Sequence, residues 1–252
     1  MLQWFTNMIK IILKNSPILA KKLNKLVTEN RISGLSRFFK TGPGEYAEGD
    51  EFLGINMLEL HQLVKDNPEL GDKALEELLA SPYHEIRMLG ALFMLKRYQR
   101  AKGEKDKTVA LNYYLAHYRA LNNWDLVDVT VSKIWGDYLI DRPQKRTKLY
   151  IWARSKNMWQ RRMAMVATAS LIRINNLDDA LALGKLLLSN KEDLMHKAVG
   201  WMLREVGKKD KAKLVKFINK YGSRMPRTTL RYAIERFSVA ERKKFLQIKH
   251  QG

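Results

Sequence analysis

The stretch 123–128, Asn-Trp-Asp-Leu-Val-Asp, places an indole and a carboxylate at a spacing that could serve chemistry. On a helix, Trp124 and Asp128 lie one turn apart and project from the same face. An indole face and a carboxylate both attract positive charge, so the pair could stabilise a cation. The alternative is a surface tryptophan with a solvated aspartate, or an aspartate that caps a helix. The core-facing positions of the same helix would be Leu126, Val127, Val129, Ile134 and Trp135.

The overall charge of the chain indicates a polyanionic partner. Of its 252 residues, 46 are Lys or Arg and 26 are Asp or Glu, which gives a formal net charge of +20. Such an excess favours DNA, RNA or an anionic membrane surface. Cations spread over the whole surface would only aid solubility, whereas a binding face would concentrate them. Lys197 and Arg204 are candidate contacts to the polyanion on such a face.

Several kinds of site are not expected from this sequence. There is no cysteine, which excludes disulfides and thiolate metal sites and favours a reducing compartment. The five histidines show no metal-ligand spacing and no glycine-rich phosphate loop occurs, so we expect neither a metal nor another cofactor. Lysines interrupt the apolar run of residues 1–14. We therefore expect a packed first helix there, or an amphipathic surface helix, and neither a signal peptide nor a membrane span.

The chain is expected to form one continuous α-helical domain over residues 1–252. Residues 1–40 predict N-terminal helices, with breaks near residues 16–17 and 33–34. Residues 41–55 predict a loop because of their Gly and Pro content. Helical repeats are expected to fill the remainder, residues 56–252.

Three acids in the loop, Glu45, Glu48 and Asp50, are unusual in so basic a chain. The loop could be a simple connector. It could also hold a nucleic-acid strand or order a neighbouring helix, and the sequence leaves these interpretations open.

Residues 56–252 predict helices, because Val, Ile and Thr do not cluster in alternating runs and turn signals separate helix-length segments. The segments pair with a period of roughly 35–40 residues: a leucine-rich helix ends at a polar turn, and a second helix turns to small residues. This predicts an all-α fold, a right-handed superhelical stack of antiparallel helix pairs (HEAT-like repeats, an α-solenoid) with a concave basic face. The predicted helices are 57–66, 71–80, 84–100, 108–120, 124–139, 144–156, 159–174, 177–188, 194–206, 211–221, 228–236 and 239–248.

Equivalent positions in successive repeats line one surface of a solenoid. The second helices carry Trp124, Asp128, Arg162 and Trp201 toward their N-terminal ends. We therefore expect these four residues to share the concave face.

At these residues the sequence resembles the AlkD family of DNA alkylation repair enzymes, which are HEAT-like-repeat alkylpurine DNA glycosylases. The likeness is greatest in residues 123–128, in 159–162 (Trp-Gln-Arg-Arg) and in 196–205 (His-Lys-Ala-Val-Gly-Trp-Met-Leu-Arg-Glu). Residues 38–46, Phe-Phe-Lys-Thr-Gly-Pro-Gly-Glu-Tyr, followed by Phe-Leu-Gly-Ile at 52–55, are similar to the family's N-terminal signature. The resemblance extends from about residue 36 to about residue 237.

The resemblance implies roles for particular residues. Asp128 would correspond to the family's catalytic carboxylate, and Trp124 and Trp201 to its two active-site tryptophans. Arg162 would correspond to its phosphate-contacting arginine. Arg161 is the neighbouring candidate, because the register of the Arg-Arg pair is ambiguous by one residue.

By the same resemblance, the expected activity is hydrolytic removal of N3- or N7-alkylated purines from duplex DNA by a monofunctional glycosylase without a base-flipping pocket. An alkylated purine is cationic and leaves as a neutral base, so one carboxylate near the sugar suffices to stabilise the developing charge. We expect a monomer, in the cytoplasm and associated with the nucleoid. Two other functions stay open: a non-catalytic HEAT-repeat protein that binds damaged or branched DNA, and a scaffold whose basic face binds an acidic partner.

Overall fold

A computed structural model describes residues 9, 13–67 and 69–249 of the chain. These residues contain fourteen α-helices and no β-strand, apart from one isolated bridge between Glu51 and Tyr83. The prediction of an all-α fold is confirmed, while the right-handed superhelical stack and its concave basic face stay predictions. The helices are α1 (Pro17–Asn24), α2 (Glu29–Phe39), α3 (Met57–Asp66), α4 (Asp72–Leu79), α5 (His84–Arg100), α6 (Gly103–Ala116), α7 (Trp124–Val131), α8 (Thr147–Ala153), α9 (Met158–Arg173), α10 (Asp178–Leu187), α11 (Asp193–Lys209), α12 (Lys211–Tyr221), α13 (Arg227–Ala233) and α14 (Val239–Leu246).

Most predicted helices agree with the structure, and α3, α5 and α12 have the predicted bounds at both ends. Helix α6 departs from its predicted bounds at both ends, since it begins at Gly103 and is followed by a separate 3-10 turn at Tyr118–Ala120. The helix that begins at Trp124 is a regular α-helix only to Val131, after which Ser132–Gly136 forms a turn of π-helix. None of the described helices combines the length and apolarity that a membrane span requires.

The predicted break near residues 33–34 is wrong, because α2 runs without interruption from Glu29 to Phe39. Gly34 is exposed, and a single glycine costs a helix only about 1 kcal/mol relative to alanine. The interruption lies instead at residues 25–28, where the Thr28 N–H donates to the Leu53 carbonyl at 2.9 Å. The break near residues 16–17 is present, since α1 begins at Pro17. The helix expected over residues 1–14 lies largely outside the described residues.

The chain divides into two compact units, residues 1–126 and 127–252, and α7 runs from the first unit into the second. The single domain over residues 1–252 stays a prediction. Of the five predicted core positions around α7, Leu126, Val127, Ile134 and Trp135 are buried, and Val129 is half-buried.

In the first unit, α5 is the central helix, because it packs against α3, α4 and α6 and is buried along most of its length. Gly90 allows α4 to approach closely, since a Cβ there would lie 2.9 Å from Cδ2 of Leu79. The first turn of α5 carries three ionisable side chains, His84, Glu85 and Arg87, into this interior. Burial of such groups is costly unless each one is paired, so their partners are informative.

The loop 41–55 is fastened to the start of α5 through its backbone. The N–H groups of Leu53, Gly54 and Ile55 donate hydrogen bonds of 2.8–3.3 Å to the buried Glu85 carboxylate. Burial raises the pKa of Glu85, against the lowering effect of these hydrogen bonds. Gly54 has a φ of +75°, and a Cβ there would lie 2.0 Å from the Thr28 carbonyl oxygen. Glycine is therefore required at residue 54.

In the second unit, α9 is the central helix and packs against α8, α10, α11 and the π-helical turn. The next helix of the same kind, α11, packs against α10, α12 and α13. Neighbouring helices thus pack in pairs, and the second members of successive pairs touch each other. This is the contact pattern that stacked two-helix units produce.

Two glycines in the second unit allow close helix approaches. A Cβ at Gly136, in the π-helical turn, would lie 2.3 Å from the Ala167 carbonyl oxygen in α9. A Cβ at Gly200, in α11, would lie 2.5 Å from Cβ of Tyr232 in α13. Because the obstructing atoms belong to backbone or to the base of a side chain, neither glycine can be replaced without moving a helix.

Candidate active site

The ring of Trp124, at the start of α7, lies at the edge of an aromatic cluster in the first unit. It stacks on Phe39 with ring centroids 5.5 Å apart and an interplanar angle of 22°. Phe38 approaches it edge-on at 5.8 Å and is itself 63% exposed. Phe39 is buried with Phe52, whereas Trp124 is half-buried. The indole is therefore held on one side by α2 and is not a core residue.

Beneath this cluster lies a network of ionised side chains centred on Asp50. The Asp50 carboxylate accepts hydrogen bonds from His84 Nδ1 at 3.3 Å, from Arg87 Nη2 at 2.5 Å and from Asn123 Nδ2 at 3.1 Å. The other ring nitrogen of His84, Nε2, faces Asp125 Oδ2 at 2.8 Å. Asp50 thus joins the loop, α5 and the residue that precedes α7. Three interpretations of the acidic loop were left open by the sequence. The contacts of Asp50 support the one in which the loop orders neighbouring helices.

The charge states in this network follow from its contacts. Burial alone would lower the pKa of His84, but hydrogen bonds to Asp125 and Asp50 outweigh it and raise the pKa to about 9. Burial alone would raise the pKa of Asp50, but the contacts with His84, Arg87 and Asn123 outweigh it and lower the pKa. At neutral pH the network therefore consists of an imidazolium and a guanidinium facing carboxylates.

In the second unit, Asp128 lies in the fork of Arg162. Arg162 Nε donates to Asp128 Oδ1 at 3.0 Å, and Arg162 Nη2 donates to Asp128 Oδ2 at 2.7 Å. The Arg162 side chain is 5% exposed and that of Asp128 is 16% exposed, so the pair is largely screened from water. Two parallel charge-assisted bonds fix both the position and the plane of the carboxylate. Asp128 is neither a helix cap nor a freely solvated acid.

Arg162 is in turn held by the start of α11. Its Nη1 donates to the Leu194 carbonyl at 2.6 Å. Three of the five N–H groups of the guanidinium are therefore used within the second unit. The structure thus gives Arg162 a positioning role toward Asp128, and its expected phosphate contact stays a prediction.

Arg161, the neighbouring candidate, is engaged differently. Its Nη1 donates to the carbonyls of Ser155 at 2.7 Å and Lys156 at 2.9 Å, and its Nη2 pairs with Glu192. These contacts join the turn before α9 to the residue before α11. Its expected DNA contact also stays a prediction.

The other three candidates lie on α11. Trp201 is half-buried and follows Gly200, the residue at the close approach to α13. Lys197 pairs with Asp193 at 2.7 Å, and this contact lowers the pKa of Asp193. Arg204 pairs with Glu205 at 3.4 Å and with Glu235. In the second unit the structure thus joins Asp128, Arg162 and the start of α11 directly, and the roles of Trp201, Lys197 and Arg204 stay predictions.

The sequence interpretation missed the residues that hold the start of α7. His84 was not singled out, Phe39 appeared only within the motif of residues 38–46, and Asp50 was noted only as one acid of an unusual loop. The contacts of Asp50 with His84 and Asn123 span 34 and 73 residues of sequence. The one signal that could have indicated them was the presence of acids in a strongly basic chain.

Comparison with known proteins finds a match to one family model. The family model described as "DNA alkylation repair enzyme" matches residues 19–237. A solved structure described as a predicted DNA alkylation repair enzyme from Enterococcus faecalis is similar in fold, with a TM-score of 0.66 at 17% sequence identity. The similarity covers 84% of this chain and 97% of that one. No curated protein matches the sequence.

Proposed function

The chain belongs to the family of DNA alkylation repair enzymes, and from this premise we propose that it is a monofunctional DNA glycosylase of the AlkD type. Its substrate would be duplex DNA that contains N3- or N7-alkylated purines, and its reaction hydrolysis of the N-glycosidic bond. The enzyme would act as a monomer, without a base-flipping pocket, at the nucleoid in the cytoplasm.

The observation that carries the proposal is the carboxylate of Asp128, fixed in the fork of Arg162 and largely screened from water. A carboxylate that is already oriented needs no rearrangement when positive charge develops beside it, and its effect is greatest where water is partly excluded. The bidentate contact also fixes the direction of both carboxylate oxygens, which would be the atoms that face a cation.

This arrangement suits the departure of an alkylated purine. The base leaves with the bonding electrons and becomes neutral, so no acid is needed to protonate it, and the deoxyribose becomes cationic. Asp128 would stabilise that sugar cation and orient the water that adds to it. Trp124 and Trp201 would add cation–π attraction of about 0.5–2 kcal/mol each, depending on desolvation. A single acid differs from the carboxylate pair of glycoside hydrolases, which must protonate a leaving oxygen.

The net charge of +20 supports DNA as the partner, because Lys and Arg release counterions when they neutralise phosphates. The candidate contacts are Arg162, Arg161, Lys197 and Arg204. Arg162 would meet a phosphate with the N–H groups that Asp128 and Leu194 do not use. Binding of that kind grips the backbone and leaves room for an adduct on the base.

The test is release of 7-methylguanine or 3-methyladenine from methylated duplex DNA with enzyme in excess. Asp128→Asn keeps the shape of the side chain and removes its charge, so we expect base release to fall by about 100-fold or more. Asp141→Asn, an exposed residue of the same unit, is the matched control and should leave the rate unchanged. Equal rates for wild type and Asp128→Asn would remove Asp128 from the catalytic role.

A second candidate function is supported by the same ion pair. Both Asp128 oxygens accept bonds from Arg162, an arrangement that also serves a purely structural purpose. The protein would then bind damaged or branched DNA without removing a base. Tight binding to methylated duplex with no base release, under conditions where the protein is folded, would favour this function.

A further inference from the structure

His84 presents both of its ring nitrogens to carboxylates. Nδ1 faces Asp50 at 3.3 Å, and Nε2 faces Asp125 at 2.8 Å. A neutral imidazole carries one N–H and one lone pair, so it could donate to only one of these acids. The doubly protonated imidazolium donates to both. Both contacts are hydrogen bonds to ionised carboxylates only if residue 84 is a cation.

The burial of the network makes that cation necessary for charge balance. The side chains of His84, Asp50 and Arg87 are 3%, 4% and 7% exposed, and that of Asp125 is 16% exposed. With His84 protonated, two carboxylates face two cations. Loss of the proton would leave two carboxylates with Arg87 alone, and an uncompensated charge in such a site is strongly unfavourable. Glu85, the next residue, accepts hydrogen bonds from the loop backbone, and the charge of His84 acts to lower its pKa against the effect of burial.

Two routes connect this cation to the start of α7. Through hydrogen bonds, His84 holds Asp125, the second residue of the helix, while Asp50 holds Asn123, the residue before it. Through ring contacts, Phe39 lies between His84, at 4.7 Å, and Trp124, at 5.5 Å. Phe52 also stacks on His84, at 5.1 Å. Aromatic faces on both neighbours attract a cationic ring.

We propose that His84 is a positioning residue which, as an imidazolium shared by Asp50 and Asp125, fixes the first turn of α7 and the ring of Trp124. The same helix carries Asp128 one turn later. The bearing of this proposal on catalysis rests on the proposed function, but the structural part can be tested without any activity.

The first experiment is 15N NMR of the histidine side chains in the full-length protein. At pH 7 both ring nitrogens of His84 should be protonated, and they should titrate only as the pH approaches 9. Asp125→Asn removes one acceptor charge and should lower the midpoint of the His84 titration. The signals of His61, which is exposed, should not change in that variant. A single protonated ring nitrogen on His84 at pH 7 would overturn the proposal.

The second experiment measures the position of Trp124 through its indole 15N–1H signal, assigned with Trp124→Phe. His84→Gln, which removes the charge and carries both of its N–H donors on one nitrogen, should shift or broaden that signal. Wild type should show the same change as the pH rises through 9. His61→Gln is the matched control and should leave the signal in place. An unchanged Trp124 signal in a folded His84→Gln protein would also overturn the proposal.

The third experiment links position to rate. In single-turnover base release, His84→Gln should lower the rate constant about tenfold or more while the Kd for DNA changes less than about twofold, because a misplaced group costs rate and not affinity. If wild type releases no base, the proposed function fails while the NMR outcomes still decide the positioning role. If wild type is active and His84→Gln releases base at the wild-type rate, the catalytic bearing of His84 is refuted.

Discussion

Two roles are proposed for Arg162: it holds Asp128 in place, and it contacts a DNA phosphate. Resemblance implies a phosphate contact, yet the structure shows three of its N–H groups bound to Asp128 and to the Leu194 carbonyl. A guanidinium can do both, because its planar fork matches a carboxylate on one edge and leaves N–H groups on another. The two duties predict different kinetic consequences.

Arg162→Lys separates these duties, since lysine keeps the positive charge and loses the fork. If the main role is to hold Asp128, the rate of base release at saturating enzyme should fall about tenfold or more while DNA affinity changes little. Arg173→Lys, at the exposed end of α9, should change neither quantity. A loss of affinity with an unchanged saturating rate would instead assign Arg162 to a phosphate.

The ionisation of His84 predicts how stability depends on pH. Its pKa in the folded protein, about 9, lies above the ordinary 6.5, so the folded state binds the proton more tightly than the unfolded state. The resulting stabilisation is complete below pH 6.5 and is lost as the pH rises through 9. Its size is on the order of 3 kcal/mol.

Urea denaturation between pH 6 and pH 10 measures this effect. The free energy of unfolding of wild type should decrease over that range, whereas His84→Gln should be less stable at pH 6 and lack most of the decrease. Parallel pH profiles for the two proteins would assign the effect to other groups. At the acid end, the lowered pKa of Asp50 predicts a further loss of stability as the pH falls through it.

At the residue scale, sequence reasoning singled out Trp124, Asp128 and Arg162 because a helix fixes the relation of residues one turn apart and because the motifs resemble a family. Their functional roles stay predictions. It did not reach His84 or Asp50. The contact of His84 with Asp125 spans 41 residues, and no local pattern encodes it. Which ionisable groups share a buried network is decided by packing, and packing is not visible in spacing.

At the element scale, the predicted helices were most accurate where local signals and packing agree. Helix α3 begins with a capping box at Asn56 and Glu59, a signal written in the sequence, and its bounds were predicted correctly. The π-helical turn after α7 was not predicted. Its contacts are made with a distant part of the chain: a Cβ at Gly136 would meet the Ala167 backbone, and Ser170 Oγ donates to the Ser132 carbonyl at 2.6 Å. Both contacts come from α9, so no signal near residue 132 could have indicated them.

Because the loop 41–55 is fastened to α5, we expect that residue 54 must be glycine. Gly54→Ala should lower the free energy of unfolding by well over the roughly 1–2 kcal/mol that a left-handed non-glycine residue costs, because its Cβ would also lie 2.0 Å from the Thr28 carbonyl. Gly44→Ala is a matched control with a φ of +76° and no atom within 4 Å of its Cβ. Chemical denaturation of the two variants isolates the steric part, and equal losses would contradict it.

At the scale of the whole molecule, the net charge follows directly from the composition. The excess of 20 positive charges belongs to the chain and not to any one element. It indicates how the protein meets a polyanion, and it says nothing about the fold. How the charges are distributed decides whether they bind or only solubilise.

Salt dependence distinguishes these cases. If six to ten cations contact phosphates, the affinity for duplex DNA should fall about 10³- to 10⁵-fold between 50 and 200 mM salt. Lys197→Met should lower the slope of log K against log salt by about one. Lys216→Met, on the exposed face of α12, should leave it unchanged. Identical slopes for both variants would remove Lys197 from the DNA contact.

Among the described residues, the stretch from 40 to 56 is the longest without an α-helix, and it would ordinarily be chosen for cutting or for insertion of a tag. Its contacts argue otherwise. Asp50 holds the residue before Trp124, and the N–H groups of residues 53–55 are all bound to Glu85. A protease should therefore spare residues 50–55 in the folded protein, and an epitope inserted between them should displace the start of α7 and lower the free energy of unfolding.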